Sequence, residues 1–489
     1  MTAYLLFKKS LFSIIIIIGF TFSSFAQKNF SLYHLQQTNQ ANYLNPGFKQ
    51  DNRVYVSLPI GFQNLSIMNS GFTINRATES RSQDDSLQFS SKLLLTDMKD
   101  LNYLNFEMSN EIFGFGLKVK NNYFSLNVTN RFQTRFNYPK DLVELALDGN
   151  GNDLLGERAS LDGIGLNLTS YVEYGIGFNR DVNDKLTVGG RLKLLSGVAN
   201  INTVKTELGL TTDATTFGLT IDGSSEINSS NISPFSDSTV EYNPFPSLFN
   251  FSNLGFGIDL GANYTLNEKV SFNASILDLG VIKWKTNVSN YVSENINYSF
   301  NGIDLNQALD SVNSIGSDLS DTLQSVFKQE ENSNAYSTAL RTKFYLGTKY
   351  KFTEVFSSSL LLYNEIIGQK YNFGASVSGN IQLKKWLGLT VNYSTYGRSF
   401  NNVGFGLNLK GGPIQFYGMT DNIVAILSPT SAKHVHVSFG MSVVIGSKKD
   451  KVADKVKDAP KAPKAKKVKQ VEKEEEEVET VDPVQTQEK

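Results

Sequence analysis

The sequence predicts an all-β protein: a transmembrane, antiparallel, up-and-down β-barrel of about fourteen strands, with an N-terminal plug and a disordered, charged C-terminal tail. Three observations carry this expectation. Apolar residues alternate with glycine or polar residues through many short stretches, the connections alternate between tight turns and long polar loops, and 12% of the chain is aromatic, with 38 Gly and no Cys. Alternation makes one face of a period-2 strand apolar. Tight turns at one end and long loops at the other are the signature of a barrel closed across a bilayer.

The alternation is clearest in a repeated element. Gly404–Leu409 reads GFGLNL, Gly114–Val119 GFGLKV, Gly163–Leu168 GIGLNL and Gly255–Leu260 GFGIDL. On the barrel reading, Phe405, Leu407 and Leu409 face lipid. The opposite face, which carries Lys118, Gly163, Gly165, Asn167, Glu173, Gly255, Gly257, Asp259, Gly404, Gly406 and Asn408, faces the lumen. The inward glycines either relieve crowding or leave room for a plug or a ligand.

Taken in order, residues 1–26 form a signal peptide. Lys8 and Lys9 precede the apolar run Leu11–Phe22, and Ser24-Phe25-Ala26 supplies small residues for cleavage between Ala26 and Gln27. That run falls short of the ~20 residues a membrane-spanning helix needs. Residues 27–52 read as an irregular plug containing the turn-forming Asn45-Pro46-Gly47. The barrel occupies 53–446. Its expected strands begin with Arg53–Phe62, weakened by Pro59, and Tyr103–Lys120, with a bulge near Asn110–Ile112. They continue through Tyr123–Phe132, Asp162–Phe178, Leu186–Ser196, Leu254–Tyr264, Val270–Leu279, Ala339–Tyr350 and Val355–Tyr363. Tyr371–Leu383, Leu387–Ser394, Val403–Lys410, Ile414–Met419 and His434–Ile445 complete the set. Helices are expected around Leu93–Met98, from Pro139 to Leu147, and over Leu305–Phe327. The longest extracellular loops are about 199–253 and 284–336. Residues 447–489, Lys/Ala/Pro-rich and then Glu-rich, cannot bury enough apolar surface to fold alone and read as a periplasmic tail.

Several chemistries are disfavoured. A net charge of −1 gives no general pull toward nucleic acid. The absence of Cys excludes disulfides, thiolate metal sites and a lipoprotein anchor. The Gly-X-Gly pairs lie inside strands with no helix following, so they are not dinucleotide loops. His434 and His436 share a face of the last strand but lack a third metal ligand in the sequence. No cofactor and no catalytic set is expected, and the reading is of a non-enzyme. Trp386, Tyr350, Phe352, Phe178 and Tyr264 sit near tight turns, where a periplasmic aromatic girdle belongs.

The stretch Ser31-Leu32-Tyr33-His34 followed by Gln40-Ala41-Asn42-Tyr43-Leu44-Asn45-Pro46-Gly47-Phe48 resembles the opening of an uncharacterised Bacteroidota family of unknown function. Asn137–Leu142 (NYPKDL), Leu277–Trp284 (LDLGVIKW) and Asp421-Asn422-Ile423 extend the match over about residues 30–446. More distantly, Asn45-Pro46 and the fourteen-strand reading look like the FadL and PorV barrels, with Asn-Pro-Gly in place of Asn-Pro-Ala. That resemblance implies outer-membrane lipid as surroundings and uptake of a small, hydrophobic molecule past a hatch. Its alternative is a PorV-like barrel that binds a protein partner at the surface or through the periplasmic tail.

Overall fold

The computed structural model describes residues 29–80, 87–151, 153–232, 249–300, 330–368, 370–397 and 399–446. The expected signal peptide with its Ala26–Gln27 junction, the helix over Leu305–Phe327 and the tail 447–489 lie outside these residues.

The described residues form a closed antiparallel wall of fourteen strands. They are β1 (Val54–Ser57 resuming as Gln63–Asn69), β2 (Leu101–Val119), β3 (Asn122–Pro139), β4 (Gly165–Asp181) and β5 (Leu186–Thr212). Next come β6 (Asn253–Thr265), β7 (Val270–Trp284), β8 (Tyr336–Ala339 resuming as Lys343–Lys351), β9 (Phe356–Ile367) and β10 (Lys370–Leu383). The last are β11 (Leu387–Tyr396), β12 (Ser399–Gly411), β13 (Ile414–Thr420) and β14 (His434–Ile445). Each pairs with its sequence neighbour, and β14 returns to β1 through Val54↔Ile445 and Leu65↔Val437. Closure leaves no open sheet edge in the wall, as a hydrocarbon surrounding demands. β1 breaks around Pro59, which cannot donate to the ladder. The bulge in β2 falls between Glu111 and Phe113.

The outer face is apolar: Ile176 and Leu192 are both 65% exposed and Phe256 is 61% exposed. Phe178, Tyr264, Tyr350, Phe352 and Trp386 are also exposed, all beside the tight turns. The end bearing those turns also holds both ends of the wall, so it is the periplasmic end of an outer-membrane barrel.

At the opposite end the expected alternation of tight and long connections holds only in part. β9–β10 and β11–β12 are joined by turns at Gly368 and Gly397, both at positive φ, which glycine adopts freely. The expected loop 199–253 is partly strand. β5 runs on to Thr212 and pairs with Leu219–Ser230, which in turn pairs with Val288–Phe300. This sheet stands above the wall. Beside it, α2 (Ser91–Thr96), begun by Ser90, packs with α3 (Lys140–Asp148), ended by Gly149 at φ 77, as Leu142 and Val143 of α3 meet Leu94, Leu95, Met98 and Tyr138.

Candidate functional site: a lumen occupied by the N-terminal segment

Inward positions of the wall carry a connected set of charges. Glu173 on β4 contacts Arg131 at 3.1 Å and Arg191 at 3.0 Å; Arg191 reaches Asp259 at 3.2 Å. Lys193 joins Asp259 (2.8 Å) to Asp278 (2.5 Å), and Lys343 on β8 completes the set. Six consecutive strands, β3 (through Arg131) to β8, are thus tied from inside. Asp278 reaches the network because β7 bulges there: Asp278 has φ 59 and its N–H donates to Asp259. Asp tolerates that left-handed backbone better than most residues.

Residues 29–52 run through the lumen without joining the sheet. Near the extracellular end lies α1 (Phe30–His34), one and a half turns long. Its leading Asn29 makes no side-chain cap; the wall supplies one instead. The Phe30 and Ser31 N–H groups donate to the Asp421 carboxylate at 3.1 and 2.8 Å. This offsets the orphan donors of a helix start with a negative charge. Asp421 in turn donates its own N–H to His436 Nδ1, and His436 Nε2 lies 2.8 Å from Asn64 Oδ1.

Below Asp421, α1 enters an aromatic enclosure. Phe30 meets Tyr363 edge-on at 5.6 Å, and Tyr33 stacks on Tyr345 at 5.0 Å while its hydroxyl donates to Asn273. The segment then descends. Gln40 donates to the Tyr55 hydroxyl and the Gly61 carbonyl, and the Tyr43 ring lies 4.7 Å from the Arg191 guanidinium. Asn45 accepts from the Gly47 N–H, closing an Asx turn, and Asn179 donates to the Pro46 carbonyl at 2.5 Å. At the periplasmic end Lys118 donates to the Gln50 carbonyl and Lys410 to Asn52.

The inward glycines do two jobs. An added Cβ at Gly404 would strike Asn392, and one at Gly116 would strike Tyr123, so those glycines accommodate neighbouring wall side chains. At Gly189 the obstacle is the Pro46 carbonyl and at Gly261 Asn45 and Gly47, so these admit the N-terminal segment itself, while at Gly406 Leu35 of that segment and Thr390 of the wall are equally close. Outside that patch the wall is concave, a groove of about 1250 Å³ bordered by Val188, Gly190, Leu260 and Leu346.

Among the residues singled out in the sequence, Glu173 and Asp259 meet in the charge network, and Lys118 touches the plug. Asn408 is buried and accepts from Gln415. Gly255 packs on Ile282, Gly257 is buried above Leu340, and Gly165 faces Thr203. Asn167 is half-buried near the top of β4. Gly163 is corrected: at φ 77 it belongs to the turn before β4, against Leu101. Its positive φ is incompatible with an extended strand, so β4 starts at Gly165 rather than Asp162. The expected polar interior is also only part of the lumen, because an apolar core of Phe30, Leu32, Tyr33, Leu361, Tyr363 and Tyr417 fills its middle. His434 and His436 are both buried, hydrogen-bonded to Ser66 and Asn64, and no metal-binding group of three ligands occurs among the described residues. Arg191, Lys193, Asp278 and Asp421 are site residues beyond those expected from the sequence. The first two alternate with Leu192 and Leu194 inside a strand already recognised, which was signal enough.

The architecture defines an outer-membrane β-barrel whose N-terminal segment is lodged in its lumen. The chain belongs to the family of unknown function DUF5723, whose model matches residues 46–421. No curated protein matches its sequence. Among solved structures it is similar to the Ralstonia pickettii toluene transporter TbuX (10% identity, 84% of this chain and 95% of that one, TM-score 0.39). A Pseudomonas aeruginosa FadL homologue is similar at 10% identity, 86% and 96% coverage and TM-score 0.37. The Pseudomonas putida toluene transporter TodX gives 10%, 83% and 92%, and 0.35. The barrel assignment rests on the strand pairings themselves.

Proposed function

We propose that this barrel admits small hydrophobic molecules across the outer membrane, with Asn29–Asn52 as its hatch. One observation carries the reading. The middle of the lumen is apolar and aromatic, where a water-filled pore would be polar, and its filling is a segment that pairs with no strand. Such a segment can leave without opening the wall, uncovering Tyr345, Leu361, Tyr363, Tyr396 and Tyr417. A second reading, partner binding at the cell surface, draws on the tall sheet of Ala199–Thr212, Leu219–Ser230 and Val288–Phe300.

Uptake of a hydrophobic fluorescent probe into vesicles separates the two. The intact chain should pass the probe faster than protein-free vesicles, and a variant lacking Asn29–Asn52 faster still. No flux in either form overturns the uptake reading and leaves partner binding.

A further inference from the structure

The wall is not equally tall all round. β13 has seven residues, whereas its neighbours β12 and β14 have 13 and 12. Seven residues at ~3.3 Å each span about 23 Å, or about 18 Å along the membrane normal at a tilt of roughly 40°, against an apolar band of about 25 Å. β13 pairs with β12 only from Phe405 downward and with β14 only from Ser438 downward. Above that level lies a notch, flanked by Ser399–Gly404 of β12 and His434–Val437 of β14.

The chain fills the notch with the five-residue helix α4 (Ile423–Leu427), which packs on both β12 and β14. Two side chains replace the ladder bonds that β13 no longer makes. Thr420 Oγ1 donates to the His436 carbonyl at 2.6 Å, and Asn422 Nδ2 donates to the His434 carbonyl at 3.0 Å. Asn422 also caps α4 by accepting from the Ala425 N–H. The His434 and His436 carbonyls of β14 are thereby satisfied at the notch, as hydrocarbon surroundings require of buried carbonyls.

On its inner side α4 buries Ala425. On its outer side Val424, Ile426 and Leu427 are exposed, Leu427 at 80%. Their outward surface continues the lipid-facing band of Val403 and Phe405 on β12, Phe416 on β13 and Phe439 on β14. Between α4 and β13 sits Asp421, whose carboxylate holds the first two N–H groups of α1.

We propose that Ile423–Leu427 is a lipid-contacting panel. Acyl chains of the outer leaflet cover Val424, Ile426 and Leu427, and that contact keeps Asp421 seated on the N-terminal segment. The occupant follows from continuity: the panel completes an apolar band that already faces hydrocarbon on both sides of it. The panel's state and the hold on the N-terminal segment are therefore linked through one residue, whatever the barrel transports.

The chain has no Cys, so single cysteines can be labelled cleanly in the full-length protein. A fluorophore on Leu427→Cys in vesicles with acyl-brominated lipid should be quenched as strongly as one on Leu362→Cys in the wall. A label on Thr216→Cys, in the turn of the tall sheet, should be several-fold less quenched. Leu427 behaving like Thr216 overturns the lipid contact, and this arm involves no destabilising change. For the coupling, the rate at which a thiol reagent reaches Ser31→Cys should rise about tenfold when Val424, Ile426 and Leu427 are all changed to Ser, the size of effect that follows loss of a charge-assisted hydrogen bond. An unchanged rate, with the triple variant still migrating as a folded barrel, overturns the coupling.

Discussion

Gly189 and Gly190 sit side by side on β5 and separate two demands on one stretch of wall. At Gly189 an added Cβ would collide with the Pro46 carbonyl; at Gly190 it would meet only Leu260 and the Asp259 carbonyl at ordinary contact distances of 3.5 and 3.4 Å. Gly189→Val should therefore weaken the seat of the N-terminal segment by about 1–3 kcal/mol, the usual cost of overpacking, whereas Gly190→Val should leave it unchanged. Hydrogen exchange over residues 45–50 reads the difference; equal protection in the two variants would sink the assignment. That Asn45-Pro46-Gly47 forms a turn was legible, because its residue types favour one. That it rests on glycines of β5 and β6 was not, since a period-2 pattern says which way a residue points but not what it meets more than a hundred residues away in sequence.

The strands β3 to β8 are held together by more than their ladders. Glu173 is fully buried and contacts Arg131, Arg191 and Lys193. Removing one member of such a group leaves cations uncompensated in a dry interior, at a cost of about 3–5 kcal/mol. Glu173→Gln should accordingly lower the urea midpoint of unfolding, followed through the fluorescence of Trp284, which is buried beside Gly197. A midpoint matching wild type would show the network to be incidental. Most strands were legible because lipid on one side and a packed lumen on the other enforce strict alternation. The upper half of β5 was not. Above the membrane Ile201–Glu207 has no buried position on either face, so its Asn, Thr, Lys and Glu read as loop. The inward turn of Asp278 was equally hidden, because a bulge shifts the phase without changing composition.

At the scale of the whole molecule, the even strand count places both ends of the wall on the periplasmic side and the tall sheet on the other. An epitope inserted after Thr215 should be detected on intact cells, and one inserted after Gly446 only after the outer membrane is permeabilised. The reverse pattern would invert the barrel. The hold of Asp421 on Phe30, across 391 positions of sequence, bears on how the wall is made. Closing a ring requires the first strand to find the last, and the entropic penalty of that search grows with the length of chain between them. Residues 30–52 run directly into β1, yet they grip β12 through Lys410, β13 through Gln415 and the residue that follows β13, Asp421. Once they have done so, β1 meets β14 as a tethered neighbour at high effective concentration. A segment held in this way in the finished barrel would also shorten the search that seals it.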